Sequence, residues 1–383
     1  MADNVIDIDD LASPRLSETQ RQALAWAETV PVDFSEHAIL EAARRRTGLT
    51  DFGPDDFRLR LRVLREGWDS DPEITALSRL TLHGYLVRYA SNRLLIQATL
   101  TQHPEIHAER IDRPVIVAGL PRSGTTHLVN MLAEDSRFHS LPLWESYEPV
   151  PLSGEPPLPD GCDPRYRRCL EAWEGMQRTT PFIAAMHPMA PDHIHEELEL
   201  MGPDFASYNF EWLNHSPFWR DHYCAHDQAP HYEYMKTVLK LLQWRRRQRG
   251  DTRARWVLKC PQHVEQLPVL NRVFPDATVI FTHRDPVAVI QSTVTMQAYS
   301  QRIGRRSRRT SAARLGARPV AGAGGTQFRF VVPCFHGRRD GHRGAGVSCR
   351  RPRVDRRGAA ATQGLYRGPS ARQGRQGRVQ PAA

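Results

Sequence analysis

The residues best suited to chemistry lie at positions 119–126, in the segment Gly-Leu-Pro-Arg-Ser-Gly-Thr-Thr. An apolar, β-branched run at 115–117 precedes this segment, and apolar residues at helical spacing follow it. The pattern predicts a buried strand, a tight loop and the start of a helix. Free backbone N–H groups and the helix dipole then point at one spot, so the loop is predicted to bind an anion such as phosphate.

The spacing of Gly119 and Gly124 matches the phosphate loop of nucleotide-binding enzymes, but the neighbouring residues differ. A Walker A loop has Lys and then Ser or Thr after the second glycine. Here Thr125 and Thr126 follow Gly124, and the cation, Arg122, lies inside the loop. The loop is therefore predicted to hold a phosphate-like group without the lysine that contacts the β- and γ-phosphates of ATP.

Two further candidate groups follow later predicted strands. Lys259 ends the apolar run 255–259, and it is one of only three lysines in a chain with 49 arginines. Arg284 follows the apolar run 277–282, and Ser292 lies eight residues further on in a predicted helix. An arginine can hold a phosphate with two hydrogen bonds, and a serine can add a third. A lysine at a strand end can neutralise charge that develops on a leaving group.

The loop consists of Pro121, Arg122, Ser123, Gly124, Thr125 and Thr126. This sequence resembles the 5′-phosphosulfate loop of bacterial and tyrosylprotein sulfotransferases, which use the sulfonate donor PAPS (3′-phosphoadenosine-5′-phosphosulfate). The segment 258–263 is similar to the L-K-S-P-x-H element of the bacterial enzymes, with Cys260 in place of serine. The resemblance covers about residues 112–300. It implies that Arg284 and Ser292 hold the 3′-phosphate of PAPS.

The resemblance also implies a division of catalytic roles. Arg122 and Lys259 would stabilise the leaving oxygen, and no metal would be required. A base must take the proton of the acceptor hydroxyl. Glu145 is the first candidate, because related enzymes place a catalytic glutamate at a similar distance after the loop arginine. His195 and Glu196 are the second, since they lie in a segment like the acidic element of the bacterial family. The alternative for Glu145 is a structural ion pair with an arginine.

The elements that must position these residues alternate between strand and helix. This order predicts an α/β fold in which helices flank a parallel sheet of the phosphate-loop type. Residues 1–110 are predicted to form helices that pack on the core, with Ser17 and Ser35 as N-caps. Residues 111–303 are predicted to form the core. Its predicted strands and helices lie at 115–117, 165–178, 232–249, 255–259, 264–274, 277–282 and from 286 onward.

Residues 304–383 differ from the rest of the chain in composition. They contain 19 Arg and 2 Asp with no Lys or Glu, a charge of +17, whereas residues 1–303 carry −8. This Arg/Gly/Ala-rich tail has no sustained amphipathic period, so it is predicted to be disordered. It is interpreted either as a basic tail that binds nucleic acid or acidic membrane, or as sequence translated in a shifted reading frame. The second interpretation would leave an incomplete enzyme.

Composition and motifs also bear on metal binding, localisation and the alternative functions of the chain. The six cysteines form no C-x-x-C pair, so there is no pattern for a zinc site. No N-terminal segment combines a basic start with an apolar core, and there is no run of about 18 apolar residues, so we expect a cytoplasmic protein. The alternative enzyme is an ATP-dependent phosphate-loop kinase, which needs the missing lysine. The expected acceptor is a hydroxyl of a small molecule, carbohydrate or lipid, and no specific nucleic acid is expected.

Overall fold

A computed structural model describes residues 6–11, 13–253, 255–306 and 378–379. Its strands are β1 Ile6–Asp7, β2 Val115–Ala118, β3 Phe138–His139, β4 Arg255–Lys259, β5 Thr278–Phe281 and β6 Arg378–Val379. Strands β3, β4, β2 and β5 form, in that order, a parallel sheet, and β1 pairs antiparallel with β6. Every residue of β2 is buried, as expected for a strand covered on both faces. The predicted α/β fold is confirmed.

The N-terminal region is helical, as predicted. It contains α1 Glu18–Ala27, α2 Glu36–Thr47, α3 Phe57–Asp69 and α4 Ala76–Gln102. Both predicted N-caps are confirmed. The Ser17 hydroxyl accepts a hydrogen bond from the backbone N–H of Gln20 (3.2 Å), and that of Ser35 accepts one from Ala38 (3.1 Å). Buried side chains of α2, α3 and α4 form one apolar cluster, which holds α4 in place as a wall of the cavity described below.

The core contains ten further helices among the described residues. They are α5 Thr125–Ala133, α6 Leu143–Tyr147, α7 Pro164–Thr179, α8 Ile183–Met186, α9 Leu198–Met201, α10 Asn209–Leu213, α11 Pro217–Ala225, α12 Ala229–Arg247, α13 Leu267–Val273 and α14 Pro286–Ser300. The helix predicted at 264–274 is wrong at its start, because a separate 3₁₀ turn, Pro261–Val264, precedes α13. The ring of Pro268 would clash with the carbonyl of residue 264 in a continuous α-helix.

The register of the sheet brings the predicted site residues to one edge. Val117 lies beside Lys259, and Ala118 lies beside Phe281. The loop after β2, Lys259 at the end of β4 and the segment after β5 therefore leave the sheet side by side. Ligands of open α/β sheets bind at this carboxyl edge.

The chain around position 304, where the predicted tail begins, packs on the N-terminal region. The backbone N–H of Thr75 donates to the carbonyl of Gly304 at 3.1 Å, and Arg305 pairs with Asp71 at 2.9 Å. The remaining tail predictions, including nucleic-acid binding and the shifted frame, concern residues outside the described ones, apart from Arg378–Val379. Of the helices that the structure describes, none combines the length and apolarity needed to cross a membrane.

Candidate active site

The loop 119–124 is shaped by two glycines with different roles. A Cβ on Gly119 would lie 2.2 Å from Thr282 Oγ1 and 2.8 Å from Ser123 Oγ, so only glycine lets these chains approach. Gly124 has φ of +93° and precedes α5, a conformation that favours glycine. The Ser123 hydroxyl donates to the carbonyl of Leu120 at 2.6 Å and fixes the turn. The loop therefore leads directly into the N-terminus of α5, as the sequence predicts, and anion binding at this place stays a prediction.

Arg122, Ser292 and Arg284 come together beside this loop. The Arg122 guanidinium donates to Ser292 Oγ at 2.9 Å and to the carbonyl of Met186 at 2.5 Å. Arg284 donates to the carbonyl of Arg122 at 3.0 Å. Burial lowers the pKa of Arg122, and the nearby Arg284 lowers it further. Among the described residues neither arginine forms an ion pair with a carboxylate, so two adjacent cations lack a counter-charge.

Lys259 connects the loop to the segment that carries the second base candidates. Its side chain is fully buried, its ammonium donates to Thr126 Oγ1 at 3.1 Å, and it forms an ion pair with Glu196. Its backbone N–H donates to Glu197 Oε2 at 2.8 Å. The charge of Lys259 is thus held next to the start of α5.

A buried polar network that the sequence analysis did not identify supports this arrangement. Glu197 Oε1 lies 2.7 Å from His263 Nε2, and His263 Nδ1 lies 2.9 Å from the Tyr232 hydroxyl. All three side chains are shielded from solvent. Because unpaired buried polar groups are costly, this network fixes the segment 195–197 against the end of β4. His263 ends the L-K-C-P-Q-H segment at 258–263, and this motif was the sequence feature from which its role could have been predicted.

Glu145 lies in α6 and is only 7% exposed. Its carboxylate pairs with Arg246 of α12. Burial alone would raise the pKa of Glu145, but Arg246, with Arg165 and Arg245 further away, keeps this pKa below its ordinary value. The structure thus contains the ion pair foreseen as the alternative role of Glu145.

A cavity of about 750 Å³ opens beside the loop, and Glu145 is not among its lining residues. Pro121, Arg122, Thr125 and Thr126 line it on the side of the loop. His195 and Glu196 also line it, so the structure brings the second pair of base candidates to the cavity. Lys259 does not line the cavity itself, but it contacts two residues that do, Thr126 and Glu196.

Two histidines, His187 and His195, line the polar end of this cavity, and the sequence analysis missed His187. Its Nδ1 atom is buried without a hydrogen-bond partner among the described residues. Burial, followed by the charges of Lys259 and Arg122, lowers the pKa of His187 to about 3. Burial likewise lowers the pKa values of His193 and His195, which favours the neutral form of their rings. The ionisable side chains next to this end of the cavity, apart from the histidines, include Arg122, Lys259 and Glu196.

Comparison with known proteins agrees with this geometry. A model of the sulfotransferase family matches residues 114–318, which is more than half of the chain. The chain belongs to the sulfotransferase family. The match includes the loop 119–124, the end of β4 and the segment after β5, which are the three places where the structure assembles the candidate site.

Two solved sulfotransferases have similar structures. STF1 of Mycobacterium tuberculosis is 30% identical, with a TM-score of 0.59 over 70% of this chain and 71% of that one. STF9 of Mycobacterium avium is 26% identical, with a TM-score of 0.61 over 72% of this chain and 69% of that one. A comparison with curated proteins finds no significant match. Family and fold together support sulfonate transfer as the reaction class of this sulfotransferase.

Proposed function

We propose that this sulfotransferase transfers the sulfonate group of PAPS to an acceptor hydroxyl. The observation that carries the proposal is the adjacent pair Arg122 and Arg284, which lies beside the N-terminus of α5. Among the described residues, neither arginine has a carboxylate partner. Two uncompensated cations next to free backbone N–H groups favour a ligand with several negative charges. PAPS carries such charge at both its 5′-phosphosulfate and its 3′-phosphate.

The fit of the donor rests on groups that the fold already orients. The loop 119–124 and the first turn of α5 would hold the 5′-phosphosulfate, and Gly119 lets the side chains of Thr282 and Ser123 pack closely against this loop. Arg284 and Ser292 would hold the 3′-phosphate, with Arg122 between the two positions. The loop lacks the Walker lysine, which favours PAPS over ATP as the nucleotide.

In the proposed reaction the acceptor oxygen forms a bond to sulfur as the bond from sulfur to the phosphate oxygen breaks. Glu196 takes the proton of the acceptor, because it is the carboxylate next to Lys259 on the cavity wall. Arg122 and Lys259 offset the charge that develops on the leaving oxygen. His195 is the second candidate for the base. The scheme uses no metal.

The donor proposal predicts selective stabilisation by the product nucleotide. At about one hundred times its Kd, 3′,5′-bisphosphoadenosine should stabilise the folded protein by about 2.7 kcal/mol. ATP with Mg²⁺ should stabilise less, because it lacks a 3′-phosphate for Arg284. Thermal unfolding with each nucleotide at matched concentrations measures both effects. An equal or larger shift with ATP and Mg²⁺ would contradict PAPS as donor and favour the kinase alternative.

A single substitution tests the 3′-phosphate site. Arg284→Ala should raise the Kd for 3′,5′-bisphosphoadenosine by roughly 10- to 100-fold, because a charge-assisted, potentially bidentate contact is lost. Arg137→Ala is the matched control, since Arg137 is 83% exposed and pairs only with Asp135 among the described residues. Isothermal titration calorimetry gives both affinities. Equal affinities for the two variants would remove Arg284 from the donor site.

A further inference from the structure

The walls of the 750 Å³ cavity carry information about the acceptor. Away from the loop, α4 and α7 contribute the largest shares of the lining, and α10 and the end of α14 contribute further residues. Among its apolar side chains are Leu77, Tyr85, Met176, Ile183, Leu213 and Met296. A volume of this size is typical of small-molecule sites, where apolar walls supply affinity and a few polar groups fix orientation.

Several hydroxyl groups of the wall are already engaged with their own helices. Thr81 donates to the carbonyl of Leu77 at 2.9 Å, and Thr180 donates to that of Met176 at 2.8 Å. Thr179 and Ser300 likewise donate to carbonyls three or four residues earlier. These hydroxyl hydrogens are not available to a ligand.

The charged side chains of the same wall neutralise one another. Arg88 pairs with Glu199 at 2.9 Å. Glu148 pairs with both Arg46 at 2.9 Å and Arg168 at 2.6 Å. A charged substituent on a ligand would have to displace one of these pairs. Outside the end that faces the loop, each charged lining side chain that the structure describes is therefore already paired.

We propose that the acceptor is a neutral alcohol or phenol with a hydrocarbon body, and not a sugar. This inference rests on the proposed sulfonate transfer. A sugar entering the cavity would give up hydrogen bonds to water for several hydroxyls and find few replacements. A hydrocarbon body loses nothing by leaving water and gains contact with Met176, Leu77 and Met296. Its one hydroxyl meets the polar end of the cavity, at Glu196 and Thr126.

The test measures acceptor binding directly, with and without 3′,5′-bisphosphoadenosine. The probes are 2-naphthol and 4-pentylphenol on one side and glucose and maltose on the other. The phenols should bind saturably, and the sugars should not bind at comparable concentrations. With labelled PAPS, the phenols should also be the sulfonated acceptors.

A pair of matched variants locates the binding. Met176→Gln places an amide in the apolar wall and should raise the Kd of the phenols by about ten-fold, while both Met and Gln are good helix formers. Met131→Gln makes the same change on α5 at a side chain that is 44% exposed and does not line the cavity, so the Kd should be unchanged.

Each result bears on one of the two proposals. Preferred binding or sulfonation of the sugars would overturn the hydrocarbon acceptor, and so would equal phenol affinities in the two variants. Absence of phenol binding to a protein that binds 3′,5′-bisphosphoadenosine would also overturn it. If the nucleotide does not bind but the phenols do, and Met176→Gln weakens them, sulfonate transfer from PAPS fails while the apolar ligand class is supported.

Discussion

Glu196→Gln is expected to lower kcat by about 10²–10⁴ while changing the Kd for 3′,5′-bisphosphoadenosine by less than about three-fold. The substitution removes the group that accepts the proton but keeps its shape. The amide oxygen of glutamine can still accept a hydrogen bond from Lys259, so the buried ammonium keeps a partner and the fold is preserved. Steady-state kinetics measure kcat, with labelled PAPS and whichever of the four acceptor probes named above is sulfonated fastest. Calorimetry measures the Kd for 3′,5′-bisphosphoadenosine.

Glu145→Gln is the matched control, because it makes the same change at the other candidate base. Glu145 does not line the cavity and is bound by Arg246, so kcat should change by less than about ten-fold. Stability should fall, since Arg246 loses an ionic partner in a mostly buried place. A large fall in kcat for Glu145→Gln, with Glu196→Gln near the wild type, would return the base to Glu145. A large fall in kcat for His195→Asn, with Glu196→Gln near the wild type, would assign the role of base to His195.

The fold and the meeting of the loop with Lys259 and Arg284 at one sheet edge could be predicted from the sequence, because both depend on short-range patterns. A β-branched run followed by a glycine loop predicts a buried strand and a helix start, and β2 with α5 confirms both elements. The positions of Lys259 and Arg284 after later strands follow from the same logic. Parallel strands leave a sheet at one edge, so residues far apart in sequence must meet there.

The acceptor side could not be predicted in the same way. Glu145 and Glu196 are both carboxylates near apolar residues in sequence, and only long-range packing separates them. The side chain of Arg246, on α12, reaches Glu145, while the end of β4 brings Lys259 to Glu196. Spacing along the chain records neither contact. The neutral state of His187 is equally invisible in the sequence, because it results from burial beside two cations.

Lys259→Met is expected to lower kcat by about 10² or more. The substitution removes the positive charge that contacts Thr126, and it breaks the ion pair that holds Glu196 in position. Methionine fits the buried stem of the lysine but leaves Glu196 without its ionic partner, so stability should fall by about 3–5 kcal/mol if the carboxylate stays in place. Lys240→Met is the control, because Lys240 lies on α12 and donates to the backbone of His107. Kinetics and thermal unfolding of both variants give the two quantities.

The double variant Glu196→Gln and Lys259→Met separates catalysis from packing. It contains neither a buried carboxylate without a cation nor a buried ammonium without an anion, so part of the stability lost in Lys259→Met should return. Activity should not return, because the double variant lacks both the proton acceptor and the charge beside the loop. A kcat that rises with stability toward the wild-type value would mean that the pair only holds β4 against the segment 195–197. A stable but inactive double variant would place the chemistry where Lys259, Thr126 and Glu196 meet.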